Sequence, residues 1–102
     1  MAEIIRGTTP TIKYTFKTVA TADIAVAYLT AEQDGAVVIE KDLTDSTVGT
    51  GYLAWTLSQE ETLSLKEKAV SFMCNWKKAD GTRGASKPMS VLIAGNYKSE
   101  VI

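Results

Sequence analysis

An all-β body of two packed antiparallel sheets is the fold this sequence predicts, and three observations predict it. First, apolar residues recur at every second position in several short runs: Ile12, Tyr14 and Phe16; Leu53, Trp55 and Leu57; Val70, Phe72, Cys74 and Trp76. This is the strand period, because successive side chains of a strand point to opposite faces. Second, Asp-Gly stands twice between such runs, at Asp34-Gly35 and Asp80-Gly81. Both central residues of a tight two-residue hairpin turn need positive φ, and this dipeptide tolerates it. Third, only one stretch, 59–65, carries a helical signal, and it is short.

The elements follow in chain order. Residues 3–6 are a short apolar piece ended by Gly7-Thr8-Thr9-Pro10. Proline has no amide to give to a ladder, so residues 1–10 read as a kinked arm whose strand leaves one sheet edge for another. Residues 11–17 alternate, with Ile12, Tyr14 and Phe16 inward. Residues 18–23 are small and polar, a loop. Residues 25–33 and 36–42 flank Asp34-Gly35 as a hairpin whose buried face is open to two readings. Leu29, Ala31 and Val38 form one set, Tyr28, Val37 and Ile39 the other. The first is preferred because it leaves Thr30, Glu32 and Lys41 outside, and a slip of one residue reverses the choice.

Residues 43–51 read as a wide turn, and Tyr52 opens the next alternating strand. Ser58 with Glu61 three residues later is a capping box, each side chain answering an amide of the first turn. It opens one or two helical turns over 59–65, with Leu63 and Leu65 closing one end of the core. Residues 70–78 and 83–93 form the second hairpin, and a two-residue turn would set Trp76 opposite Ala85. Pro88 must lie at an edge or a bulge, and a bulge keeps Met89, Val91 and Ile93 inward. Residues 97–102 are a C-terminal tail. The expected core is Ile12, Tyr14, Phe16, Leu29, Val38, Leu53, Trp55, Leu57, Leu63, Val70, Phe72, Cys74, Trp76, Met89, Val91 and Ile93. Six to seven strands with one short helical turn fit an immunoglobulin-like antiparallel β-sandwich.

The 102 residues are read as one domain, 1–102. A chain of this length buries roughly two thirds of the surface its unfolded form exposes, so it can fold without disulfides or metal. Apolar residues make up 45% and charged residues 23%, which argues against disorder. A net charge of −1 gives no electrostatic case for nucleic acid or an anionic membrane as partner. No run approaches the ~20 apolar residues of a membrane span. The start, Met-Ala-Glu-Ile-Ile-Arg, lacks the pattern of an export signal, so synthesis in a cytoplasm without Sec-type export is expected.

The chemistry-bearing residues are few. The chain has no histidine and one cysteine. That removes the commonest general base and leaves too few ligands for a zinc site. No serine lies in a nucleophile elbow, and no glycine loop is built for phosphate. Cys74 reads as a small buried hydrophobe. Asp34, Asp42, Asp45 and Asp80 sit in or beside turns, where aspartate serves the backbone. Glu60 and Glu61 suit a helix start. Lys77, Lys78, Arg83 and Lys87 cluster at one hairpin end and read as a solvated edge guarded against aggregation. Trp55 and Trp76 read as core. The expectation is a non-enzyme with no catalytic, cofactor-binding or metal residues and no cofactor.

The run Ile5-Arg6-Gly7-Thr8-Thr9-Pro10-Thr11 is similar to the opening of a family of small prophage-encoded tail proteins of Gram-positive bacteria. These resemble the N-terminal immunoglobulin-like domain of phage baseplate upper proteins. Val38-Ile39-Glu40-Lys41-Asp42-Leu43, Leu57-Ser58-Gln59-Glu60-Glu61-Thr62-Leu63, and Asp80-Gly81 followed by Ala85-Ser86 look like the same family's later motifs, in the same order. The resemblance implies a virion component of the tail or baseplate that docks to other tail proteins and to itself, and it transfers no catalytic residues. Baseplate upper proteins continue into further domains where this chain stops, so a free-standing tail accessory protein is expected. Docking surfaces would be the edge strands, the arm and the tail. A carbohydrate-binding adhesion module is the alternative, and it needs an exposed aromatic among Tyr28, Tyr52 and Tyr97.

Overall fold

The computed structural model describes residues 2–102. Among these residues nine strands form two sheets: β1 (Ala2–Ile5), β2 (Thr11–Thr15), β3 (Ile24–Gln33), β4 (Ala36–Asp42), β5 (Thr47–Gly49), β6 (Tyr52–Thr56), β7 (Ala69–Lys78), β8 (Arg83–Ala85) and β9 (Met89–Ala94). The larger sheet runs β1-β9-β7-β3-β4, with β8 also on β7; the smaller runs β2-β6-β5. The count exceeds six to seven for local reasons. The wide turn holds a three-residue strand, β5, and the last strand is broken in two at Ser86-Lys87-Pro88.

The kinked arm behaves as proline requires. β1 pairs in parallel with β9 in the larger sheet, and after Pro10 the chain enters the smaller sheet as β2, antiparallel to β6. The crossing is tied down. The Gly7 amide donates to the Thr62 hydroxyl at 3.0 Å, that hydroxyl donates to the Thr8 carbonyl at 2.8 Å, and the Arg6 guanidinium donates to the Leu63 carbonyl at 2.6 Å. Thr62 is therefore buried although polar, which satisfies its hydroxyl inside the protein. Its helix, α1 (Gln59–Leu63), starts at the expected capping box, with both reciprocal bonds between Ser58 and Glu61 present. The tail does not form a strand; the Ile102 amide donates to the Gln59 side chain at 3.1 Å.

The core lies between the sheets. Leu29, Leu53, Trp55, Leu57, Val70, Phe72 and Cys74 are fully buried, with Ile12, Val91 and Ile93 beside them. Each such large apolar side chain contributes about 1.5–3 kcal/mol before entropy is subtracted. Tyr14, Phe16 and Trp76 pack against this core from its margin. Trp76 meets Phe16 edge-on at 5.0 Å between centroids. Ile4, Ile24, Ala27, Ala31 and Leu65 complete the interior. Gln33 is buried too, and its side-chain amide pairs with the main chain of Lys66, donating at 2.9 Å and accepting at 3.0 Å.

Four expectations need correction. Val38 is 38% exposed and Ile39 is 5% exposed, so β4 buries the other residue. A bulge between Ala31 and Glu32 causes this: Ala31 faces Ile39 but Glu32 faces Val37, leaving Val38 as the extra residue. Met89 is 37% exposed; it shares the inner face through its partner Phe72 but stands at the first position of β9. Leu63 is only half-buried, so of the two leucines expected to close that end of the core Leu65 alone does so. Trp76 faces Gly84, not Ala85, because the second Asp-Gly loop has three residues rather than two.

Candidate functional site

The outward face of the larger sheet brings an exposed aromatic and basic side chains together around a groove. Alternation on β3 sends Val26, Tyr28, Thr30 and Glu32 outward, since Ala27, Leu29, Ala31 and Gln33 are buried. Their register partners on β7 are Lys77, Asn75, Met73 and Ser71. Across β7, Asn75 meets Ala85 and Lys77 meets Arg83. A groove of about 250 Å³ opens here, lined by Val26, Tyr28, Asn75, Trp76, Lys77, Arg83 and Gly84. Trp76 and Gly84 are register partners on β7 and β8. The β8 strand exists in this register because residue 84 is glycine: a Cβ there would come within 2.4 Å of the Trp76 ring.

The sequence-level candidates fall into place around this face or away from it. Lys77 and Arg83 rim the groove together, while Lys78 lines a separate depression with Asp23, Ala79 and Asp80. Lys87 lies in the break between β8 and β9, exposed. Trp55 is wholly buried, and its indole N–H donates to the Asp42 carbonyl at 2.9 Å, which is the core role expected of it. Of the three tyrosines, Tyr28 is 43% exposed at the groove, Tyr52 carries the Lys13 ammonium 4.4 Å above its ring, and Tyr97 stands free in solvent. The groove itself was missed in the sequence. Lys77, Arg83 and Tyr28 each stand out in the sequence, but only the pairing of β7 with both β3 and β8 brings them to one groove.

The carboxylates serve local structure. The Asp34 carboxyl is held below its ordinary range by hydrogen bonds from the Lys68 and then the Lys66 ammonium groups. Asp42 is lowered chiefly by the Thr44 hydroxyl and caps a 3-10 turn at Leu43–Asp45. Asp80 is lowered by the Thr82 amide at 2.8 Å. Burial pushes the Glu61 carboxyl up, but the Lys41 ammonium at 2.8 Å and the Ser58 amide outweigh it and leave it lowered. Among the described residues no three His, Cys, Asp or Glu side chains come together as a metal site. Burial raises the Cys74 thiol to about 11, which keeps it protonated and unreactive at neutral pH. The Tyr14 hydroxyl is raised by burial to about 12; Ser86 lies close enough to lower it slightly, but the two do not reach hydrogen-bond geometry.

No protein-family model matches the chain, and no curated protein matches it. Solved structures do. The immunoglobulin-like domain of mouse leukocyte-associated immunoglobulin-like receptor 1, in a strand-swapped dimer, superposes with a TM-score of 0.54 at 15% identity, over 90% of this chain and 85% of that one. Extracellular domains 3–5 of Drosophila OTK give 0.40 at 12% identity, over 93% of this chain and 32% of that one, a likeness too loose to carry an argument. In the immunoglobulin frame, β2, β6 and β5 answer to strands B, E and D, and β9, β7, β3 and β4 to G, F, C and C′. The B–F disulfide of antibody domains has no counterpart, since Cys74 on β7 is the only cysteine and Tyr14 packs against the core from β2. The chain has the all-β immunoglobulin-like sandwich fold.

Proposed function

We propose that this chain is a non-enzymatic structural protein of a (pro)phage tail or baseplate, made in the bacterial host cytoplasm and working by docking to other tail proteins. The observation that carries the docking reading is the outward face of the larger sheet. A two-layer sandwich needs only one face of each sheet for its core. Here the other face of the larger sheet bears a groove, an exposed aromatic and cations without partners among the described residues. The ordered motif resemblance supports the tail setting. The arm is less suited to docking than its sequence suggests, because β1 is already paired with β9 and its exit is clamped to α1.

Purified particles from an induced lysogen test this. The chain should be present at a fixed copy number and should cross-link through the β3–β7 face to a tail protein, a second copy of itself included. Particles that lack it would overturn the reading.

One observation favours a second reading, a carbohydrate-binding adhesion module: Tyr28 stands beside Asn75 and Arg83 at the groove, a ring with polar neighbours. Binding to bacterial wall polysaccharide that disappears in Tyr28→Ala would support it; an unaltered signal in that variant would remove it.

A further inference from the structure

We propose that the outward face of the larger sheet is occupied by a second copy of this chain, related to the first by a two-fold axis running along the strands. This rests on the docking reading above and names its partner.

The reason is how charge is distributed on this one face. The register sets Ala85, Asn75, Tyr28 and Asp42 in a row across β8, β7, β3 and β4. On one side of Tyr28 the face is cationic, with Lys77 and Arg83 on it and the exposed Lys87 in the break that follows β8. On the other side it is anionic, with Glu40 and Asp42 on β4. Between them lie the exposed Val26 and Tyr28. Among the described residues the ion pairs use Lys41, Lys66, Lys68 and Lys98 with Glu61, Asp34 and Glu100, so none of these face charges is neutralised within the chain. A chain of net charge −1 has thus separated its charges on one sheet.

A two-fold axis between β3 and β7 lays β7 of one copy over β3 of the other, and β8 over β4. Ala85 then lies over Asp42 of the second copy with Arg83 two residues along β8 from it, Lys87 falls in the row of the second copy's Glu40, and Tyr28 enters its Asn75 groove. Each contact occurs twice, as an isologous interface requires. An unrelated acidic partner would satisfy the cations but set Glu40 and Asp42 against like charge. The face is large enough. Strands about 4.8 Å apart, the central two of ten residues, give on the order of 600 Å², near the ~800 Å² each partner contributes to a standard interface.

The test is the mass of the full chain by light scattering and sedimentation from low micromolar to near-millimolar concentration, at low and high salt. A two-copy species that weakens with salt is expected. Lys87→Glu alone and Glu40→Lys alone should each weaken self-association about tenfold or more, and mixing them should restore it as a heterodimer, because both contacts regain opposite charges. Tyr28→Ala should weaken it about tenfold without lowering the unfolding midpoint. A chain that stays monomeric throughout, single variants that dimerise like the parent, or a mixture that fails to recover would each overturn the proposal. A monomer that still cross-links to a tail protein sinks the self-docking face alone and leaves the docking reading standing. Wall-polysaccharide binding by a monomer, lost in Tyr28→Ala, overturns both.

Discussion

Two hairpins of this chain turn on the same dipeptide and are built differently. At Asp34-Gly35 both residues have positive φ, 56° and 76°, and the loop holds two residues, with Gln33 opposite Ala36. At Asp80-Gly81 only the glycine does, at 94°, and the loop holds three, since Lys78 and Thr82 close it through an amide-to-carbonyl bond of 2.8 Å. The Asp80 side chain turns inward on its own loop to accept from Thr82, while the Asp34 side chain reaches out to Lys66 and Lys68. The extra residue shifts the partner of Trp76 from Ala85 to Gly84. The lesson is that Asp-Gly announces a reversal but leaves loop length, and therefore register, to the flanking residues. At the second loop those residues are bound from outside: the Ala79 amide donates to the Asp23 carbonyl, and the Trp76 ring leaves room only for a glycine across from it. At the first loop the turn has its simplest form, and the register shift comes from the Ala31–Glu32 bulge.

The comparison can be broken most sharply at that bulge. Ile39→Ala should cost about 2–4 kcal/mol in urea unfolding, and Val38→Ala under about 0.5 kcal/mol. Equal costs would mean that the strand is not bulged. Next comes the register of the second hairpin. Gly84→Ala should destabilise by about 1–3 kcal/mol, because a Cβ overlaps the Trp76 ring, whereas Ala85→Gly should cost less than about 1 kcal/mol. A harmless Gly84→Ala would restore Ala85 as the partner.

A smaller effect separates the turns themselves. Gly35→Ala and Gly81→Ala each place an L side chain at positive φ with nothing nearby to clash with, so each should lose about 1–2 kcal/mol from backbone strain alone. The smallest effect is acid titration. Asp34 has a lowered folded pKa, so its contribution is present above its unfolded pKa and is lost as pH falls through the folded value. Asp34→Asn should therefore flatten part of the stability loss on acidification below about pH 4, measured as the unfolding midpoint against pH. A loss curve identical to that of the parent would show that the Lys66 and Lys68 contacts do not persist in solution.

The candidate site was legible only in pieces. Lys77, Arg83 and Lys87 stand out as a basic cluster, and Tyr28 as an aromatic that could be exposed, but they come from hairpins more than 40 residues apart in the sequence. No local signal pairs Tyr28 with Asn75; that contact follows from β3 docking beside β7, a choice made by the shape of the whole core. Gln33 and Thr62 were missed for a related reason. Both are polar, and each is buried because main-chain groups of a distant segment need partners: those of Lys66 and Lys68 for Gln33, and those of Gly7 and Thr8 for Thr62.

What the amino-acid order determined by itself is everything that repeats locally. Period-two alternation placed Ile12, Leu53, Trp55, Val70, Phe72 and Cys74 inside, proline sent the arm from one sheet to the other, and Ser58 with Glu61 began the helix. These depend on neighbours a few residues away, and steric and hydrogen-bond preferences act at that range. The tertiary structure alone decided register: which valine of β4 faces solvent, which residue lies across from Trp76, and which side chains share the outward face. A strand's period is satisfied equally well by pairings one bulge or one loop residue apart. Only close packing between the sheets, where a single misplaced methyl overlaps a ring, tells such pairings apart.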